Sequence, residues 1–349
     1  MLLVGECDGD FPDLSTLHPE SWQGAALGEA AGRVAQLTHW EQDNVDACAL
    51  WCLAIRHAVR TGELDVRAGL AWIAADRRDR WSGLIDEALA AGAHPRDFAR
   101  GNGWVVRAFQ GALAAVAGSV GLVDALERAV RGGKDTDTVA AIAGGLAGAI
   151  HGSSAVPAPW QVVLHGWPGL RTPGLVRLAA LAARGGRSDS QGWPGIDRMP
   201  TYVRPNTLVR HPHDDGVWLG SLNAVDRLGA DAPEVDAVVS LCRVGAEQVP
   251  ATLANVQVWL IDRPDSNPHL ADVLTGAAQA IADLRAAGRT VFVHCLEARS
   301  RTSAVAALYG AAHRGVPRAQ AWLDVQAALP DFAPERFLRG AVEELAGRK

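Results

Sequence analysis

The second half of the chain contains, at residues 293–302, the sequence Val-His-Cys-Leu-Glu-Ala-Arg-Ser-Arg-Thr. Its apolar start predicts a buried strand that ends at His294, and a helix is expected to begin near Arg301 after a short loop. A strand, a tight loop and a helix N-terminus in this order turn several backbone N–H groups toward one point, where they attract an anion. The segment therefore predicts an oxyanion-binding loop on an α/β fold.

The side chains of this segment predict phosphate chemistry. Arg301 can donate from its planar guanidinium to two phosphate oxygens. The same positive field favours the thiolate of Cys295, which can attack phosphorus and form a phosphoenzyme. Thr302 is expected to offer its hydroxyl to this sulfur. His294 is expected to orient the loop through hydrogen bonds rather than to transfer protons.

Departure of a substrate alcohol needs a proton donor from another loop. Asp262 follows an apolar run and lies 33 positions before Cys295, so it is the first candidate for this general acid. Asp265 belongs to the same Asp-Arg-Pro-Asp loop and is the alternative.

At these residues the chain resembles the dual-specificity branch of the protein tyrosine phosphatases. The signature of that family is His-Cys, five residues, then Arg followed by Ser or Thr, with an Asp roughly thirty residues upstream; the matching residues are His294, Cys295, Arg301, Thr302 and Asp262. The resemblance covers about residues 202–330. It implies hydrolysis of phosphate monoesters through a phosphocysteine without a metal ion, acting on a phosphorylated protein or a small phosphate ester.

The five residues of the loop are expected to surround the substrate phosphate: Leu296, Glu297, Ala298, Arg299 and Ser300. The phosphatase family usually has Gly where this chain has Ala298, and an alanine would cost about 1 kcal/mol there if the backbone needs a positive φ. Glu297 places a negative charge in or beside the loop, which weakens the binding of a dianion. The loop is therefore expected to bind phosphate and to turn over slowly.

The two halves of the chain have different patterns. Residues 24–184 carry apolar residues at three- and four-residue spacing without strand patterns, which predicts an all-helical domain. Residues 187–200 are rich in Gly, Ser and Pro and predict a linker. Beyond them, short strand-like runs alternate with helical segments and predict an α/β domain with a largely parallel sheet. The predicted domains are residues 1–186 and 201–349.

Composition narrows the classes of partner. The 349 residues have a net charge of −6, which gives no general attraction to nucleic acid or to an anionic membrane. Five scattered cysteines do not form a disulfide framework, and no stretch is long enough to span a bilayer. We therefore expect a cytoplasmic protein that binds phosphate at a local site.

The helical half contains its own candidate site at residues 133–138, Gly-Lys-Asp-Thr-Asp-Thr. Asp135, Asp137 and Thr138 provide two carboxylates and a hydroxyl that can converge on a hard cation such as Mg²⁺. The same residues can instead cap the following helix and place favourable negative charge at its start.

The order of motifs in this half resembles the ADP-ribosylglycohydrolases, all-helical enzymes that use two divalent ions to remove ADP-ribose from protein side chains. The motifs are Leu-Thr-His at 37–39, Asn-Gly-Trp at 102–104, Asp-Thr-Asp-Thr at 135–138 and the segments 48–58, 144–152 and 157–160. The resemblance covers roughly residues 24–184. The resemblance implies that Asp135, Asp137 and Thr138 form the late metal motif of that family. Its early Thr-Asp-Asp motif does not occur in this sequence, so we expect an N-terminally incomplete, inactive domain with a partial Mg²⁺ site.

The sequence thus favours a cysteine-dependent phosphatase joined to an inactive helical domain. One alternative is a Mg²⁺-dependent glycohydrolase that acts on ADP-ribosylated proteins. Another is a non-catalytic protein that binds phosphate or ADP-ribose.

Overall fold

The computed structural model describes residues 24–200, 206–228 and 234–345. The described chain forms two compact units, and the first ends at Val156 while the second begins at Pro157. The sequence predicts domains at residues 1–186 and 201–349. Residues 1, 201 and 349 lie outside the described residues, so these domain limits stay a prediction.

The first unit is helical, as predicted. Apolar side chains at three-residue and four-residue spacing form the buried faces of these helices, and the helix Val105–Ala117 is buried on nearly all sides. Trp51, Trp81 and Phe109 fill the centre, and Phe109 meets each tryptophan edge to face at 5.3 Å. The helices are α1 (Gly24–Ala35), α2 (Gln42–Thr61), α3 (Ala75–Ala88), α4 (Val105–Ala117), α5 (Leu122–Arg131) and α6 (Thr136–His151), with 3₁₀ turns at Arg67–Trp72, Pro95–Phe98 and Ser153–Ala155.

The second unit begins with short elements that precede its main sheet. Their bounds are α7 (Trp160–Val163), β1 (His165–Gly166), β2 (Leu170–Arg171) and α8 (Thr172–Ala183). The antiparallel β1–β2 pair was not predicted, because two residues per strand are too short to produce an alternating pattern.

Among the described residues, a five-stranded sheet with the order β3-β4-β7-β5-β6 forms the centre of the second unit. Strand β3 is antiparallel to β4, and the other pairs are parallel, which confirms the predicted α/β fold. The strands are β3 (Leu208–His211), β4 (Asp214–Ser221), β5 (Ala237–Ser240), β6 (Ala254–Gln257) and β7 (Val291–Cys295). The helices are α9 (Leu222–Val225), α10 (Leu270–Ala286), α11 (Arg301–His313), α12 (Arg318–Ala328) and α13 (Arg336–Leu345).

Residues 187–200, predicted as a linker, contain neither helix nor strand and pack within the second unit. Trp193 is buried and meets Trp259 edge to face at 5.3 Å. Arg243 forms an ion pair of 2.5 Å with Asp189. These contacts hold the segment against Arg243, which follows β5, and against Trp259, which precedes Asp262.

The strand register brings several chain ends to one edge of the sheet. All five residues of β7 are buried, as expected for a central parallel strand. Ser221 at the end of β4 is paired with Cys295, and Ser240 at the end of β5 is paired with His294. Ligands of open α/β sheets bind beyond such carboxyl ends. No helix among the described residues is long and apolar enough to cross a membrane.

Candidate active site

Cys295 is the last residue of the central strand β7, and only 2% of it is exposed. The chain leaves the strand in the loop of residues 296–300 and returns as helix α11 at Arg301. A reacting phosphoryl group must therefore enter the loop to reach the sulfur.

The backbone amides of the 296–300 loop donate no hydrogen bond to any acceptor in the described part of the chain. Three of its carbonyls, by contrast, accept hydrogen bonds: Leu296 from the Leu222 amide at 3.2 Å, Arg299 from the Ala333 amide at 3.1 Å, and Ser300 from the Ala304 amide at 3.0 Å. These amides and the N-terminus of α11 are available to a bound anion, as the predicted anion-binding loop requires. The binding of an anion there stays a prediction.

Ala298 takes the left-handed backbone conformation, with φ at +61°, and is 1% exposed. The backbone of Ala298 is therefore strained, as expected for a positive φ, because this conformation costs a residue with a Cβ about 1–2 kcal/mol. The turn of the loop depends on this residue.

Arg301 is 6% exposed and lies beside the loop at the first position of α11. Its Nη1 donates to the carbonyl oxygens of Leu241 and Leu260, at 3.3 Å and 3.1 Å. Its Nε lies 3.5 Å from Asp262 Oδ2. Contacts from two chain segments, at Leu241 and at residues 260–262, thus fix the orientation of the guanidinium, and no residue type in the sequence marks the two carbonyls.

Asp262, the first candidate for the general acid, reaches the loop. Ser300 donates from its hydroxyl to Asp262 Oδ1 at 2.6 Å, and Arg301 faces the other carboxylate oxygen. The alternative, Asp265, is exposed with φ at +59° and has no hydrogen bond or ion pair to the loop among the described residues. The geometry therefore favours Asp262.

His294 is completely buried beneath the loop. Its Nε2 lies 2.8 Å from Ser240 Oγ, and its Nδ1 lies 3.3 Å from the carbonyl oxygen of Cys295. Burial lowers the pKa of this imidazole to about 4, so it is neutral near pH 7. A neutral, hydrogen-bonded ring suits the predicted positioning role.

Thr302 does not make the contact that the sequence suggested. Its side chain is completely buried, and within the described residues its Oγ1 has no hydrogen-bond partner, so it does not bond to the Cys295 sulfur. The signature spacing gives its place in the first turn of α11 but leaves the direction of the hydroxyl open.

Glu297 and Arg299 lie on the outside of the loop, with 43% and 52% of their side chains exposed. Arg299 Nη1 is 3.6 Å from Glu297 Oε2, a loose surface ion pair. Glu297 therefore has a cationic neighbour of its own at the surface.

A segment between α12 and α13 supports the loop and was missed at the sequence level. The Ala333 amide donates to Arg299, and the Glu335 amide donates to Ser300 Oγ at 3.0 Å. Ser300 therefore links this segment to Asp262. Because these are backbone donors, no residue type in the sequence marks them.

In the helical unit, the candidate metal residues lie where α6 begins. Asp135 occupies the N-cap position without a side-chain cap hydrogen bond, while Asp137 and Thr138 are exposed. Asn102 holds the preceding turn, accepting from the Asp135 amide at 3.2 Å and donating to the Gly133 carbonyl at 3.1 Å.

These three residues do not fit a complete Mg²⁺ site. Mg²⁺ requires about six oxygen ligands in near-octahedral geometry. The described residues contain no group of three or more His, Cys, Asp or Glu side chains that could hold a metal ion. The set therefore provides part of a site at most.

Solved structures similar to this chain include several phosphatases. Human DUSP28 is 26% identical over 41% of this chain and 95% of that chain, with a TM-score of 0.35. PTPMT1 is 22% identical over 40% and 94%, with a TM-score of 0.33. The tyrosine phosphatase OH1 of the Orf virus is 19% identical over 42% and 90%, with a TM-score of 0.35.

The comparison with protein families concerns the helical half. The model of the ADP-ribosylglycohydrolase family matches residues 16–192, which is just over half of the chain. No curated protein matches the sequence. Through this half, the chain belongs to the ADP-ribosylglycohydrolase family.

Proposed function

We propose that the second unit is a cysteine-dependent phosphatase that hydrolyses phosphate monoesters through a phosphocysteine. Its substrate is a phosphorylated protein or a small phosphate ester, and it needs no metal ion. The first unit is proposed to be inactive as a glycohydrolase, and a cytoplasmic location stays a prediction.

One observation carries this proposal: the loop that follows Cys295 has amides without acceptors among the described residues, and the guanidinium of Arg301 is held in a fixed orientation beside this loop. Oxyanion chemistry needs such preorganised donors, because they do not have to reorganise as charge develops. The hydrogen bond from Ser300 brings a carboxylic acid to the same loop.

The proposed reaction has two steps, formation and hydrolysis of the phosphocysteine. The Cys295 thiolate attacks phosphorus, the ester P–O bond breaks, and Asp262 gives its proton to the departing alcohol oxygen. Water then attacks the phosphocysteine, Asp262 takes a proton from this water, and the S–P bond breaks to release phosphate and the thiolate. Arg301 and the loop amides stabilise the phosphoryl oxygens in both steps.

The test compares two cysteines. Release of p-nitrophenol from p-nitrophenyl phosphate is expected to stop in Cys295→Ser and to stay within twofold in Cys52→Ser. Cys52 is a half-buried free cysteine in α2 of the first unit, so it controls for loss of a thiol away from the loop. Activity that survives Cys295→Ser in folded protein would reject the proposal, as would equal loss in both variants.

Family membership supports a second candidate, an ADP-ribose-directed activity of the first unit. Mg²⁺-dependent release of ADP-ribose from a modified protein, lost in Asp137→Ala and kept in Cys295→Ser, would favour it. Phosphate binding without turnover would instead favour a non-catalytic binder.

A further inference from the structure

Ser300 is the last residue of the 296–300 loop and lies between Asp262 and the segment that precedes α13. It is buried, and its Oγ accepts from the backbone amide of Glu335 at 3.0 Å and lies 2.6 Å from Asp262 Oδ1. A backbone amide only donates, and a hydroxyl carries one proton. With the amide on one of its lone pairs, the hydroxyl gives this proton to Asp262, which is its acceptor among the described residues.

Backbone atoms set the direction of this hydroxyl. The Ala333 amide donates to the Arg299 carbonyl at 3.1 Å, next to the bond from the Glu335 amide to Ser300. Residues 333–335 thus bind the end of the loop twice, through backbone donors that no side-chain rotation removes. The hydroxyl of Ser300 is therefore oriented toward Asp262 before a substrate arrives.

Asp262 is held at its backbone and at its side chain. The side-chain amide of Asn267 accepts from the Ile261 amide and donates to the Ile261 carbonyl, both at 2.8 Å, which fixes the chain just before Asp262. Ser300 binds Oδ1 of the carboxyl group. Because Oδ1 is the acceptor of this bond, a proton carried by Asp262 lies on Oδ2, the oxygen that Arg301 Nε faces at 3.5 Å.

We propose that Ser300 is a positioning residue of this site: its hydroxyl, oriented by the Glu335 amide, holds Asp262 with Oδ2 directed toward the ester oxygen that leaves. This inference rests on the proposed phosphatase activity. In the step concerned, the P–O bond breaks, its electron pair stays with the departing oxygen, and that oxygen takes the proton from Oδ2. An acid must lie within hydrogen-bond reach of the atom that it protonates, and a displacement of about 1 Å reduces a rate about 100-fold.

Two esters with the same ring test this role. Phenolate is a poor leaving group that needs the proton, whereas p-nitrophenolate is a stable anion that leaves without it. In Ser300→Ala, kcat/KM is expected to fall at least about tenfold for phenyl phosphate and less than about threefold for p-nitrophenyl phosphate. An equal fall for both esters, or an unchanged value for phenyl phosphate, would overturn the inference. Ser300→Gly removes the same hydroxyl and has the same expected result, should Ser300→Ala not fold.

Ser303→Ala is the matched control. Ser303 is a buried serine in the first turn of α11, and its Oγ donates to the Arg299 carbonyl at 2.5 Å rather than to Asp262. This variant is expected to change kcat/KM for the two esters by the same factor, within about twofold. A change in the ratio of the two esters as large as that in Ser300→Ala would assign the effect to disturbance of the loop and overturn the inference.

A double variant shows through which group Ser300 acts. If the hydroxyl only holds Asp262, Ser300→Ala is expected to lower kcat/KM for phenyl phosphate by less than about twofold in protein that already carries Asp262→Asn. A further fall of about tenfold would place the effect elsewhere and overturn the inference.

The same rates separate this inference from the proposed function. Turnover of both esters by the native protein, with an unchanged ratio between them in Ser300→Ala, would reject the role of Ser300 and would not affect the proposed phosphatase. An absence of turnover by the native protein would reject both.

Discussion

Replacement of Arg301 by lysine tests how much the fixed guanidinium contributes to the proposed phosphatase. The structure holds this side chain by Nη1 at two carbonyls, with 6% of the residue exposed. Lysine keeps the positive charge, but it cannot bond to those carbonyls and present a planar pair of donors to phosphate at the same time.

The expected magnitude follows from the lost hydrogen bond. A hydrogen bond to a charged group contributes about 1.5–3 kcal/mol. Loss of one such bond in the transition state predicts a fall in kcat/KM of about 10- to 150-fold in Arg301→Lys. Initial rates with p-nitrophenyl phosphate measure this fall, and thermal unfolding confirms that the variant is folded.

Arg299→Lys is the matched control. Arg299 belongs to the same loop, but 52% of its side chain is exposed and its ion pair with Glu297 is loose. We expect kcat/KM within twofold of the native value. The reasoning is refuted if Arg301→Lys stays within twofold, or if Arg299→Lys falls as far.

Three further predictions concern the acid, the strained residue and the buried histidines. Asp262→Asn should lower kcat by about 100-fold or more for an alkyl phosphate, while Asp265→Asn should not; the reverse order would move the acid to Asp265. Ala298→Gly relieves strain of about 1–2 kcal/mol, but it also removes a buried methyl group and raises the conformational entropy of the unfolded chain. Urea unfolding should therefore show a change in the free energy of unfolding below about 1 kcal/mol. Burial lowers the pKa of both His211 and His294 from 6.5 to about 4, so between these pH values the unfolded chain binds more protons than the folded chain. The free energy of unfolding should therefore fall as pH falls from 6.5 to 4. An unchanged urea midpoint between pH 7 and pH 5 would contradict this.

The strands of the second unit show what periodicity can predict. The apolar run Thr290–Val293 predicts the central strand β7 to within two residues at each end, because a strand with parallel neighbours on both sides is a continuous buried run. The edge strand β3 was missed, since Leu208–His211 contains Arg and His in four residues. Strand β6 ends at Gln257, although the apolar run continues to residue 261. The Val258 amide still donates to the Ser240 carbonyl at the end of β5, and Val258 and Leu260 enter the core.

The candidate site shows a similar division. The loop, Arg301 and Asp262 follow from residue types at fixed spacing, so the sequence predicted their proximity. The carbonyls of Leu241 and Leu260 are backbone groups whose positions depend on how the whole chain packs. Local sequence therefore predicts the reacting groups better than the contacts that hold them.

A crystal structure of the protein with orthovanadate tests the central claim most directly, because vanadate adopts the five-coordinate geometry of phosphoryl transfer. We predict vanadium bonded to the sulfur of Cys295, with its oxygens within hydrogen-bond distance of the 296–300 amides and of the Arg301 guanidinium. Vanadate bound elsewhere, or no vanadate in the loop at a concentration that inhibits the enzyme, would contradict the account.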